Sequence, residues 1–83
     1  MVVAMTRFSE VELDTRGLLC PQPIIDLAEE MERIPVGGVI RILSDDVAIV
    51  QDLPAWCVGT GHELLSLNSK GREHTGRVRK SHD

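Results

Sequence analysis

Residues 13–23 read LDTRGLLCPQP, a single cysteine set between a strand-like lead-in and two prolines. Upstream, Val11 and Leu13 alternate with Glu10, Glu12 and Asp14 behind an apolar Phe8. This period of two predicts a half-buried strand over about residues 8–14. Downstream, Ile24, Leu27, Ala28 and Met31 recur at i, i+3, i+4 and i+7, with Asp26, Glu29, Glu30 and Arg33 turned away. That spacing predicts an amphipathic helix, ended by IPVGG at 34–38. Pro21 and Pro23 fit its first turn, where a missing N–H costs no helical bond. Pro21 also keeps Cys20 out of helical geometry, as an N-cap requires. The same effect of Pro23 on Gln22 leaves a start one step later open. Cys20 is therefore expected at the electropositive end of the first helix.

Beyond the turn, VIRIL (39–43) is short, β-branched and nearly all apolar, as a central strand under helices would be. A second helical segment follows over roughly 48–59, interrupted by Pro54. Its better start is Asp52 as N-cap, with Pro54 in the first turn and Gly59 and Gly61 at the end. ELLSL (63–67) reads as a third strand, and TGRVRK (75–80) as a weaker fourth at a sheet edge, blunted by its charges. The order β-α-β-α-β-β predicts a two-layer α/β sandwich, a four-stranded mixed sheet with two helices on one face. Its first crossover makes strands one and two parallel.

Eighty-three residues make one domain, 1–83, with a thin core. The two cysteines are too few for a secreted disulfide scaffold, and MVVAM is too short and lacks the basic lead of a signal peptide. A soluble, cytoplasmic protein is expected. The net charge of −4 is uneven: residues 1–68 carry four basic and eleven acidic side chains, residues 69–83 five basic and two acidic. The acidic body argues against general nucleic-acid binding. The basic end is read first as a solvated strand and tail, and second as a docking edge for an acidic partner.

Only a thiolate is nucleophilic, and an ordinary thiol is about 3% ionised at pH 7. A helix terminus contributes about 0.3–1 kcal/mol, so the dipole helps without sufficing. Arg16 is the nearby candidate cation. His62, His74 and His82 lie far downstream, which leaves no built-in general base. Such a thiol suits accepting and donating an atom when a partner supplies the remaining groups; the plain alternative is a structural cysteine beside a capped helix. Cys57 is read as a core thiol, its neighbours Leu53, Trp56 and Val58 facing inward, with an auxiliary role left open. Two cysteines 37 positions apart and scattered histidines show no zinc-type spacing, so no metal or other cofactor is expected.

With LDTRGLLCPQP on a strand-loop-helix, the chain resembles the TusA/SirA-like sulfur-carrier family. The likeness runs over about residues 10–80, through GGVIRILSDD, DLPAWCVGTGHELL and RVRK. It implies the same sandwich, and a persulfide sulfur carried on the motif cysteine, Cys20. A cysteine desulfurase or rhodanese-type enzyme would load it, and an acceptor protein would take the sulfur. Thiolated tRNA, molybdenum cofactor and sulfur oxidation are the destinations known in the family. Pro21 and Pro23 match the prolines of the Cys-Pro-x-Pro element, and Arg16 and Gly17 its lead-in. Asp45-Asp46-Val47 departs from the Asp-Pro that many relatives have after the central strand, and the last strand lacks their aromatic residues.

The leading reading is thus a sulfur relay through Cys20. Arg16 would favour its anion, and the Gln22 N–H would donate to the sulfur. Leu18 and Leu19 form either a dry docking lip or core at the strand's end, and Arg77, Arg79 and Lys80 form the basic docking edge. Two other readings differ in class. One is a regulatory or RNA-associated module using the basic edge, opposed by the acidic body and by having only Phe8 and Trp56 as aromatics. The other is a thiol redox protein using Cys20 with Cys57, although CPQP is not a paired Cys-x-x-Cys.

Overall fold

The computed structural model describes residues 10–83. Its elements are β1 (Glu10–Asp14), α1 (Gln22–Arg33), β2 (Val39–Ser44), α2 (Ile49–Thr60), β3 (Glu63–Lys70) and β4 (Glu73–Arg79). This is the expected β-α-β-α-β-β sandwich with a mixed sheet. The expected start of the first strand at Phe8 lies outside the described residues.

The sheet order is β1-β2-β4-β3, with β1 parallel to β2 and β4 antiparallel to both its neighbours. TGRVRK is therefore no edge: β4 runs through the middle. Its inward positions are His74, Gly76 and Val78, all buried. Only valine among them looks like core in a sequence, while Arg77 and Arg79 on the other face imitate an exposed margin.

One apolar cluster joins the layers: Leu27, Met31 and Ile34 at α1, Ile49, Leu53 and Cys57 from α2, and Ile40, Ile42 and Val78 from the sheet. Each such aliphatic side chain contributes about 1.5–3 kcal/mol on burial. Gly76 is part of this packing, since a Cβ there would lie 2.4 Å from the Leu53 side chain. The opposite face carries cross-strand ion pairs, Glu12 with Arg41, Glu10 with Arg77 and Glu63 with Arg79.

The second helix begins before Asp52, correcting the expected start. The Asp46 carboxylate accepts the Ala48 N–H at 3.0 Å, and the Asp46 carbonyl accepts the Ile49 N–H at 3.0 Å. That turn brings Ile49 into the core and leaves Pro54 inside the helix. An interior proline costs a helix about 3 kcal/mol. Burial of Ile49 and Leu53 before it and of Cys57 after it opposes that cost. Val58, expected to face the core, is 84% exposed, because Leu53 and Cys57 already define the inward stripe. Gly61 closes the helix in the left-handed conformation (φ 85°), its N–H donating to the Cys57 carbonyl at 2.9 Å.

Candidate functional site

The loop between β1 and α1 is stitched to the corner between β2 and α2. Thr15, fully buried, donates both its N–H and its hydroxyl to the Leu43 carbonyl, at 2.8 and 2.6 Å. Gly17 follows at φ 89°, a conformation that favours glycine, and its N–H donates to Asp45 Oδ1 at 3.0 Å. The Cys20 N–H donates to Asp46 Oδ2 at 2.8 Å. Asp46 thus holds the thiol loop with one oxygen and, with the other, the Ala48 N–H in the turn that leads into α2.

Pro21 is the N-cap of α1, so Cys20 lies one residue outside the helix instead of capping it. The Gln22 N–H, expected to reach the sulfur, donates to the Leu19 carbonyl at 2.9 Å. Gln22 turns its side chain to Asp26, and Pro23 is buried in the first turn. Cys20 remains exposed. Its Sγ donates to Asp52 Oδ2 at 3.1 Å, in a hollow lined by Pro23, Ile24, Asp46, Ile49 and Asp52.

Electrostatics here run opposite to the expectation. The hydrogen bond to the Asp52 carboxylate pushes the Cys20 thiol above its ordinary value; desolvation and the charges of Asp52 and Asp46 add to the rise. Arg16 does not reach the sulfur. Its Nε and Nη2 donate to Asp14 at 2.9 and 2.8 Å, and its Nη1 to Glu73 at 2.7 Å. These bonds hold Asp14 down at about 2 and strap the thiol loop to the start of β4. Arg16 and Gly17 therefore shape the loop, and the thiol has no cation in its hollow.

Leu18 is 37% exposed and Leu19 73%, so neither belongs to the core. Leu19 borders an open groove of about 440 Å³ with Asp45, Asp46, Val47, Gly71, Arg72 and His74. The expected basic edge does not assemble. Arg77 and Arg79 are paired with glutamates across the sheet, and Lys80 is buried, its Nζ donating to the Ile34 carbonyl at 2.8 Å. Cys57 is buried and its thiol raised to about 11 by desolvation, as a packing thiol would be; both cysteines are free. Among the described residues no cluster of metal-ligating side chains occurs. Asp52 was legible in the sequence only as a helix cap, and Asp46 only as a departure from the family's pattern; their approach to Cys20 spans 26 and 32 positions.

The chain is thus a small α/β sandwich that presents an exposed cysteine in a proline-framed loop. The family model for sulfurtransferase TusA matches residues 11–80, and the chain belongs to that family. A protein named sulfur carrier protein TusA from Pseudomonas syringae pv. syringae is 32% identical over 74 residues, covering 89% of this chain and 88% of that one. One of the same name from Buchnera aphidicola is 36% identical over 70 residues, covering 84% and 89%. In three dimensions the chain is similar to a SirA-like protein from Desulfitobacterium hafniense, with a TM-score of 0.74 at 22% identity, covering 87% and 99%.

Proposed function

We propose that Cys20 carries sulfur as a persulfide between two other proteins. The carrying observation is its exposed sulfur at the rim of a braced loop, in a chain whose relatives are named sulfur carriers. In loading, Cys20 attacks the outer sulfur of a donor cysteine persulfide. The donor's S–S bond breaks, its electron pair stays on the donor cysteine with the proton that Cys20 gave up, and Cys20 bears S–SH. Delivery repeats the exchange with an acceptor thiol, so no net oxidation occurs.

A cysteine desulfurase or rhodanese-type enzyme is the donor class and a thiol-bearing protein the acceptor, meeting in the cytoplasm. No helix among the described residues is long and apolar enough to cross a membrane. The exposed Leu18 and Leu19, which precede Cys20 in the loop, and the exposed Val47, which shares a groove with Leu19, supply apolar contact for both partners. Incubation with a cysteine desulfurase and cysteine, followed by intact mass measurement, is expected to add one sulfur to the wild type and none to Cys20→Ser. Equal addition to both would overturn the reading.

A further inference from the structure

We propose that Asp52 is a positioning residue that holds the resting Cys20 sulfur in its hollow, and that a cationic group of the sulfur donor releases it by engaging that carboxylate. The second half rests on the carrier reading; the first stands on geometry alone.

Three elements face the sulfur. The first turn of α2 brings Asp52 Oδ2 to 3.1 Å of Sγ, with Ile49 alongside. The residues leading into α2 bring Asp46, bonded to the Cys20 N–H at 2.8 Å. The start of α1 contributes only Pro23 and Ile24, which are uncharged. The loop's own cation, Arg16, is turned to Asp14 and Glu73. A thiolate formed in this hollow meets two carboxylates and no counter-charge, and like charges disfavour its ionisation. The neutral thiol, in contrast, gives its proton to a good acceptor. The arrangement keeps the thiol protonated and its sulfur directed at α2 until Asp52 is engaged from outside.

A guanidinium fits that task best. It is always charged and can hold a carboxylate through two parallel hydrogen bonds. Once Asp52 is occupied, the sulfur loses its acceptor and much of the opposing charge, and the thiolate forms beside the donor's persulfide. Restraint of this kind slows reaction with small electrophiles while permitting reaction inside a complex.

The test follows the rate of Cys20 alkylation by iodoacetamide against pH, with the modified residue mapped by mass spectrometry. Asp52→Asn is expected to lower the apparent thiol pKa. Each unit of fall gives tenfold more thiolate, reduced by its weaker nucleophilicity to about threefold faster alkylation at pH 7. Asp52→Ser removes the same charge in a different shape and is expected to shift the profile the same way. Glu29→Gln, on the exposed face of α1, is expected to match the wild type. A folded Asp52→Asn or Asp52→Ser protein with an unmoved profile would overturn the hold on the thiol. Desulfurase-driven sulfur loading of Asp52→Asn is expected to run severalfold slower, although its thiol is the more reactive toward iodoacetamide. Loading as fast as wild type would overturn the cationic release. Sulfur addition to Cys20→Ser would refute the relay and leave the alkylation result standing.

Discussion

Cys20 and Gly76 show what a single residue does and does not reveal in the sequence. The cysteine was legible because prolines and a strand-to-helix transition frame it locally. Asp52 was not, because its contact with the thiol depends on how two helices lie on one sheet. Gly76 was equally silent: it looks like a strand weakness and is instead the space that Leu53 fills. A methyl at position 76 would lie 2.4 Å from Leu53 Cδ2 and 3.4 Å from Ile42 Cγ2. Leu53 and Ile42 are 0% and 1% exposed, so neither can swing into solvent. Gly76→Ala is expected to lose about 1–3 kcal/mol through overpacking, more than the unfolded-state benefit of alanine returns. Urea unfolding checks this; an unchanged midpoint would mean the helix layer shifts freely over β4.

At the scale of the element, β4 is where sequence pattern and structure part. The alternation Arg77, Arg79 suggested a charged margin, and Lys80 an extension of it. The two arginines do face solvent, each against a glutamate, but Lys80 follows the strand back under α1 and donates to Ile34, the C-cap residue of that helix. A cation at that end also complements the helix dipole. Lys80→Met keeps most of the stem and removes the charge-assisted donor, so a buried carbonyl loses its partner; about 1–3 kcal/mol of stability is expected to go with it. Arg79→Met breaks only the exposed pair with Glu63 and is expected to change stability by about 0–1 kcal/mol. Denaturant midpoints of the two variants separate a structural lysine from a surface arginine. Equal effects would contradict the burial of Lys80. The helices, in contrast, were well marked: the apolar spacing of α1 is the stripe that the core uses, and the start of α2 was displaced because the turn that leads into it is held by Asp46.

For the molecule as a whole, the scarce basic side chains are spent on internal pairing. Arg16, Arg41, Arg77 and Arg79 each meet a carboxylate of another element. Three carboxyls, Asp14, Glu10 and Asp46, are held below their ordinary values by arginine or backbone N–H partners. A depressed carboxyl gives stability that is present above its unfolded value and lost as pH falls through its folded one. For Asp14 that window runs from 3.8 down to about 2. Thermal melting is therefore expected to be insensitive to these groups near neutrality and to decline across that acidic range. Asp14→Asn is expected to flatten part of the decline. Parallel acid profiles for the variant and the wild type would show that Asp14 titrates alike in folded and unfolded chains.

The middle position of β4 also bears on how the protein is made. Of the four strands it leaves the ribosome last, yet β2 and β3 pair through it and not with each other. A nascent chain that has released everything up to Lys70 holds two strands with bare inner margins and an apolar layer closed on one side only. Closure of this sheet thus waits for β4, and chains stalled before residue 73 are the ones a chaperone has reason to hold.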